Sequence, residues 1–126
     1  MILLDTHILL WLALDEGRLS KSARRALKDQ RVLADISLRE VAALHRAGRL
    51  EVEGSLSEWL VEALEALSIE IVPIDARIAA RSVRIAENFH GDPADQLIAA
   101  TAIELDVALV TADELMRASP AVRTIW

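Results

Sequence analysis

Five acidic residues stand where the sequence indicates that a strand ends or a helix begins: Asp5, Glu40, Asp92, Asp95 and Asp113. In an α/β fold, strand ends and helix starts meet at one edge of the sheet, where binding and catalytic sites are built. Carboxylates gathered at that edge repel one another unless a positive charge lies between them. Oxygen ligands of this kind are the ones that Mg²⁺ and Mn²⁺ prefer. The spacing therefore predicts a site for a hard divalent cation.

The elements that would position these acids follow from the periodicity of the apolar residues. Short apolar runs predict strands over residues 2–5, 32–36, 69–74, 107–110 and 122–125. Helical spacing and N-cap residues predict helices over residues 8–14, 20–30, 37–47, 55–67, 75–89 and 92–105. Strands that alternate with helices favour a mostly parallel sheet covered on both faces. We therefore expect an α/β fold with three layers, α/β/α, in one domain that spans residues 1–126.

The composition agrees with a compact domain and excludes several kinds of chemistry. Apolar residues make up 53% of the 126 residues, more than a disordered chain carries. The absence of cysteine excludes disulfides, thiolate metal sites and thiol nucleophiles. No apolar run approaches the roughly 20 residues of a membrane span, and the N-terminus lacks the pattern of a signal peptide. We expect a soluble cytoplasmic protein with no membrane contact.

The charge balance argues against indiscriminate binding to nucleic acids. A net charge of −6 lacks the basic footprint that such binding usually leaves. A nucleic acid stays open as a substrate, because bound divalent cations would cancel much of the negative charge locally. Most of the 14 Lys and Arg residues fall into three clusters, over residues 18–28, 39–49 and 77–84. Each cluster is either a solvated helix face or a surface for a phosphate backbone or a protein partner.

Helix capping offers a second interpretation of two of the acids. Ser37-x-x-Glu40 matches a capping box, in which Glu40 would bond the amide of the N-cap residue. Thr111-x-x-Glu114 matches another, which would leave Asp113 exposed in the first turn. Each of these patterns alone fits a cap as well as it fits a ligand.

Capping also bears on the other three acids. Asp92 before Pro93 is a good N-cap, and Asp95 then falls in the first turn, where the helix dipole favours an acid. Asp5 gains nothing from capping unless it caps the helix that follows. Four separate elements nevertheless deliver an acid to the same kind of location, which favours a shared site.

Five motifs follow one another along the chain. They are Leu3-Leu4-Asp5-Thr6-His7 with Leu10-Trp11; Ser37-Leu38-x-Glu40-Val41-Ala42 with Gly48-Arg49-Leu50; Gly91-Asp92-Pro93-x-Asp95-x-Leu97-Ile98-Ala99-Ala100-Thr101-Ala102; Leu109-Val110-Thr111-x-Asp113; and Val122-x-Thr124-x-Trp126. Together they resemble the motifs of PIN domains, specifically of VapC-type toxin ribonucleases from bacterial and archaeal toxin–antitoxin pairs. The resemblance covers essentially the whole chain, and its third motif is the most specific.

The resemblance implies roles for individual residues. It assigns catalytic, metal-binding carboxylates to four positions: Asp5, Glu40, Asp95 and Asp113. Asp92 matches a further acid of the Asp-Pro-x-Asp variant and is either an additional metal ligand or only a helix cap. Thr6 and Thr111 fall where small hydroxyl residues accompany the acids, in position to orient carboxylates or water.

The resemblance also implies an activity and partners. The acids would hold one or two Mg²⁺ or Mn²⁺ ions that activate water for attack on an RNA phosphodiester. A cognate antitoxin would inhibit the enzyme, and the chain would form a homodimer or a toxin–antitoxin hetero-oligomer. The sequence departs from the family pattern at Arg39, where many members carry Trp, at Leu44, where Lys is common, and at Gln96, which replaces a frequent Arg. No core acid is lost, so we expect activity to be retained.

Two other functions stay open at this point. The apolar helices over residues 8–14 and 55–67, with Trp11 and Trp59, would suit a catalytically silent PIN-like module that binds a protein. A metal-dependent phosphatase of another α/β family is a weaker rival, because its Asp-x-Asp arrangement would require an acid where this chain has His7. The three histidines, His7, His45 and His90, are poor candidates for a general acid–base pair.

Overall fold

The computed structural model describes residues 1–126, and at its centre lies one five-stranded sheet. Its strands are β1 (Ile2–Leu4), β2 (Arg31–Ala34), β3 (Ile69–Val72), β4 (Ala108–Val110) and β5 (Thr124–Ile125). They lie in the order β3-β2-β1-β4-β5, and every neighbouring pair is parallel. The predicted parallel α/β sheet is confirmed, and β1 is its central strand.

Seven α-helices flank the sheet. They are α1 (Thr6–Leu14), α2 (Lys21–Ala26), α3 (Ile36–Arg46), α4 (Leu56–Ala66), α5 (Ala76–Ile85), α6 (Pro93–Leu105) and α7 (Glu114–Ala118). None of them has the length and apolar content that a membrane span needs. The N-caps predicted from sequence at Ser20, Asp75 and Asp92 each accept a hydrogen bond from the first turn of their helix. Of the two candidates for α4, Ser55 and Ser57, the cap is Ser55.

The central strand builds two hydrophobic cores because its side chains alternate between the faces of the sheet. Ile2 and Leu4 belong to one core, which includes buried residues of α1 and is covered by α4. Leu3 belongs to the other, with buried residues of α6 and α7. Helices therefore cover both faces of a sheet whose strands are apolar on both sides, which confirms the α/β/α arrangement.

Several element boundaries differ from the sequence-based prediction. The helix expected over residues 20–30 ends at Ala26, and the one expected over 75–89 ends at Ile85 and is followed by a 3₁₀ turn, Ala86–Asn88. The short helix α7 was indicated only by the possible capping box at Thr111 and is not among the helices that periodicity predicts. It forms because the Asp113 side chain accepts hydrogen bonds from two amides of its first turn, a local cap in a segment too short to show helical periodicity.

Arg31, the first residue of β2, connects the carboxyl-terminal ends of helices α2 and α4. Its Nε donates to the Leu27 carbonyl after α2, and its Nη1 donates to the Leu67 carbonyl after α4, both at 2.7 Å. Each carbonyl is an acceptor that a helix end leaves without an intrahelical partner.

Replacing Arg31 by Met should therefore destabilise the fold by about 1–3 kcal/mol, since two carbonyls lose a charged donor. The expected fall in the melting temperature is several degrees, measured by circular dichroism against Arg25→Met, an exposed arginine of α2. Equal melting temperatures for the two variants would show that these bonds add nothing to stability.

Candidate active site

The five acids converge on the carboxyl edge of the sheet, as expected for an α/β fold. Asp5 directly follows the central strand β1, and Thr111 directly follows β4 beside it. Glu40 lies in the first half of α3, the helix that follows β2, and Asp92 caps α6. Each side chain is therefore positioned by the end of a strand or the start of a helix.

Three of the carboxylates form a tight group. One oxygen from each of Glu40, Asp92 and Asp95 lies within 4.8 Å of the corresponding oxygens of the other two. Asp5 and Asp113 are outside this group. The family pattern implies a site built mainly from Asp5, Glu40, Asp95 and Asp113. The close group in the structure instead contains Asp92, which is also a helix cap, and does not contain Asp5. Asp92 uses Oδ1 to accept from the Ala94 amide at 3.0 Å and keeps its other oxygen free of protein bonds.

Asp5 is the most buried of the acids, with 6% of its surface exposed. It caps α1, because its Oδ1 accepts from the Thr6 amide at 2.8 Å, and its Oδ2 accepts from the Thr111 hydroxyl at 2.6 Å. Burial raises the pKa of Asp5, while these two hydrogen bonds oppose the rise. Both oxygens of Asp5 are thus fixed in direction by neighbours from different elements.

Glu40 does not take part in a capping box, so that interpretation was wrong. Ser37 lies inside α3, and the N-cap position is Asp35, which makes no side-chain cap bond. Glu40 Oε1 instead accepts from the Thr6 hydroxyl at 2.5 Å, and the hydroxyls of Thr6 and Ser37 are 2.9 Å apart. Burial raises the pKa of Glu40 most, and the charges of Asp5 and Asp92 raise it further.

Asp113 lies at the start of α7. The capping box expected for Thr111 and Glu114 is absent, because Asp113 itself is the N-cap and its Oδ1 accepts from the Leu115 and Met116 amides at 2.8 and 3.0 Å. Its charge contributes to the raised pKa of Asp5. Asp113 is exposed, and its Oδ2 accepts no bond from the protein.

His90 is the site residue that sequence analysis missed. Its Nε2 is 2.6 Å from Asp95 Oδ2, and both side chains are largely buried. Gln96 holds the backbone of His90 by donating from Nε2 to its carbonyl at 2.9 Å, and the Phe89 ring centroid is 4.3 Å from that of His90. A histidine five residues before Asp95 was a usable signal, but the loop between the 3₁₀ turn and α6 separates the two residues, so helical spacing does not predict that their side chains meet.

Asp95 has the most perturbed ionisation in this region. Its pKa rises to about 6, chiefly because burial penalises the charged form, and the charges of Asp92 and Asp5 add to the rise. The hydrogen bond from His90 works in the opposite direction. A carboxylate this costly to ionise, set among other acids, is typical of a functional site.

The donor set fits a hard divalent cation. Only carboxylate oxygens converge here, which suits Mg²⁺ or Mn²⁺ better than the metals that prefer thiolate or imidazole ligands. Burial and like charge raise the pKa of Asp95 and of Glu40. A cation between the two carboxylates would favour their ionised forms and so oppose both effects. Threonine hydroxyls and His90 hold Asp5, Glu40 and Asp95 in fixed directions, which is the support that metal ligands receive from surrounding residues.

A parallel α/β/α sheet whose carboxyl edge carries clustered acids defines a class of protein, and the chain belongs to it: it is a member of the PIN domain family, whose model matches residues 2–120. Over 129 aligned positions the chain is 36% identical to ribonuclease VapC22 from Mycobacterium tuberculosis, with 99% of this chain and 98% of that protein covered.

Solved structures of similar chains agree with this membership. A chain of a toxin–antitoxin complex from Klebsiella pneumoniae is 26% identical, with a TM-score of 0.67 over 97% of this chain and 95% of that one. A chain of FitAcB from Neisseria gonorrhoeae is 27% identical, with a TM-score of 0.62 over 98% of this chain and 96% of that one. The alignments cover nearly the full length on both sides, so the whole chain shares the fold of these proteins.

Proposed function

We propose that the protein is a divalent-cation-dependent endoribonuclease that acts as the toxin of a toxin–antitoxin pair. The observation that carries this proposal is the group formed by Glu40, Asp92 and Asp95 at the carboxyl edge of the sheet. Two relatives support the choice of substrate and context, since one is named a ribonuclease and another was solved in a toxin–antitoxin complex. Membership of the PIN domain family along residues 2–120 supports it further.

In this proposal, Glu40, Asp92 and Asp95 would hold one Mg²⁺ or Mn²⁺ ion, and Asp5 with Asp113 would serve a second ion or adjust the charge at the first. When bound, such a cation would supply positive charge to activate water and to neutralise the scissile phosphate. The protein contributes preorganisation, because carboxylates already fixed in direction lose little freedom when they bind a cation.

The same contacts argue against the phosphatase alternative. A phosphatase of that kind would use the Asp after the first strand as a nucleophile. Asp5 is 6% exposed, and both its oxygens already accept hydrogen bonds, from the Thr6 amide and the Thr111 hydroxyl. An attacking oxygen must reach phosphorus on the substrate, and the deep burial of Asp5 disfavours that role.

The fold also bears on the binding-module alternative. The apolar side chains of α1 serve mainly to build the core, since Ile8, Leu9, Leu10 and Leu12 are all buried. We propose that a cognate antitoxin inhibits the enzyme and that the chain forms a homodimer or joins a hetero-oligomer with the antitoxin. An RNA substrate implies that the toxin acts in the cytoplasm.

The test is incubation of the purified, antitoxin-free protein with labelled total RNA in Mg²⁺ or Mn²⁺. We expect discrete cleavage products, suppression by EDTA and recovery when Mg²⁺ is returned in excess. A folded protein that binds its antitoxin but cuts no RNA in either metal would overturn the nuclease assignment and leave the binding module.

His90 should act as a positioning residue for Asp95. Its hydrogen bond to Oδ2 fixes the direction of a carboxylate that also belongs to the group with Glu40 and Asp92. We expect His90→Ala to weaken Mn²⁺ binding about tenfold, and His90→Gln, which keeps a side-chain donor, to recover part of it. Calorimetric titration measures both affinities, and Ala and Gln variants with wild-type affinity would show that His90 does not orient Asp95.

A further inference from the structure

A groove runs from Glu40, one member of the carboxylate group, along α1 and α3. It consists of two adjoining cavities of about 360 and 380 Å³. The first is lined by Glu40, Thr6 and Arg39, the second by Trp11 and Arg18, and the two share His7, Leu44 and Arg49. Because these three residues line both cavities, the groove is continuous from the acidic site to the surface around Trp11.

The walls of this groove are basic although the chain is acidic. Arg18, Arg39 and Arg49 are all exposed, and no ion pair of the chain involves any of them. Beyond Glu40, the only carboxylate that lines either cavity is Asp15. A planar guanidinium group binds phosphate oxygens through two parallel hydrogen bonds, so unpaired arginines in a groove suit a phosphodiester backbone.

The position of Arg49 is fixed by the end of α3. Gly48 has a φ of +75°, and its amide donates to the His45 carbonyl at 3.1 Å. The Arg49 amide donates to the Leu44 carbonyl at 3.0 Å, which completes a Schellman motif. Leu50 is then buried in the core. Arg49 is therefore anchored on both sides while its side chain stays exposed in the groove.

The far end of the groove presents an aromatic surface. The Arg18 guanidinium carbon lies 4.5 Å from the centroid of the Trp11 ring. The Trp11 ring centroid is also 6.2 Å from that of His7 and 5.7 Å from that of Trp126. Aromatic rings and guanidinium planes stack on unpaired bases with little sequence preference.

We infer that this groove binds the single-stranded RNA next to the scissile phosphate, with backbone phosphates on Arg39 and Arg49 and a base at the Trp11–Arg18 surface. The inference rests on the proposed ribonuclease function. Continuity with Glu40 favours RNA over an acidic protein segment, since the strand held at the carboxylates must continue along an adjoining surface. Double-stranded RNA is excluded as the ligand at Trp11, because its bases are already stacked.

The test is binding of a fluorescein-labelled single-stranded RNA in the cleavage-deficient Asp95→Asn background, followed by fluorescence anisotropy over a range of salt concentrations. Arg39→Ala with Arg49→Ala should weaken binding about tenfold or more and lower the slope of log K against log salt by about 1.4, for two lost phosphate contacts. Arg84→Ala is the matched control, because Arg84 is an exposed arginine of α5 with no ion pair, and α5 packs against α6 rather than on α1 or α3.

The outcomes separate this inference from the proposed function. If the wild type cuts RNA but the double variant binds RNA with unchanged affinity and salt slope, the groove assignment is wrong and the nuclease stands. Three other results would also overturn the groove assignment. They are an equal loss of affinity in Arg84→Ala, an absence of RNA binding, and an acidic peptide that binds at Arg39 and Arg49 without displacing RNA. Loss confined to the double variant supports it, and the RNA cleavage assay tests the ribonuclease function separately.

Discussion

Replacing Asp95 by Asn is expected to abolish RNA cleavage and at the same time to make the metal-free protein more stable. Cleavage should fall by at least about 10²–10³-fold, because a fixed charge that acts on the transition state is removed. The pKa of Asp95 is raised to about 6, which means that the ionised carboxylate destabilises the folded state at neutral pH. Stability should therefore rise when a neutral side chain replaces it. Asn retains an oxygen that accepts the hydrogen bond from His90.

A shift of about two pKa units corresponds to roughly 1–3 kcal/mol, so we expect the melting temperature of the metal-free variant to rise by several degrees. The measurement is a pair of assays, RNA cleavage in Mg²⁺ and thermal unfolding in EDTA. Glu65→Gln, which neutralises an exposed acid of α4, serves as the control and should change neither. Loss of cleavage together with loss of stability would indicate that Asp95 has a structural role instead.

The second large effect is a steep dependence on pH. Below pH 6, Asp95 binds a proton in the folded protein, so cation binding and cleavage should each fall about tenfold for every further unit of pH. The metal-free protein should instead become more stable as the pH falls. Between about pH 4 and 6 the folded state binds more protons at Asp95 than the unfolded state, and this group's contribution therefore weakens the fold as the pH rises.

The direct check is Mn²⁺ affinity measured by calorimetry between pH 5 and 8, in wild type and in His90→Gln. Affinity should level off above pH 6 and decline below it. Burial also raises the pKa of Glu40 and Asp5, so the decline should be at least as steep as one proton predicts. A wild-type affinity that is constant down to pH 5 would exclude Asp95 as a ligand.

The sequence predicted what depends on neighbours along the chain. Asp92 and Pro93 indicated the start of α6, and Gly48 indicated the end of α3. Both signals are local, because caps and Schellman motifs are formed by residues a few positions apart. The alternation of apolar runs predicted the parallel sheet, since buried strands and amphipathic helices differ in period.

What the sequence did not predict depends on distant residues. Thr111 and Asp5 are 106 positions apart and meet only because β1 and β4 are adjacent in the sheet. Thr6 donates to Glu40 across 34 positions and thereby replaces the capping box that the local pattern favoured. Thr6 and Thr111 were expected to accompany the acids from family resemblance alone. The contact between His90 and Asp95 depends on the path of the loop before α6, which the sequence pattern does not predict.

One experiment tests the central claim that the clustered carboxylates hold the cation on which RNA cleavage depends. Mn²⁺ is titrated into the metal-free protein, free Mn²⁺ is followed by electron paramagnetic resonance, and RNA cleavage is measured in the same samples. We predict one or two bound ions per chain, a cleavage rate that rises with occupancy, and loss of both in Asp95→Asn. Cleavage that persists in EDTA, or full occupancy and full rate in Asp95→Asn, would contradict the account.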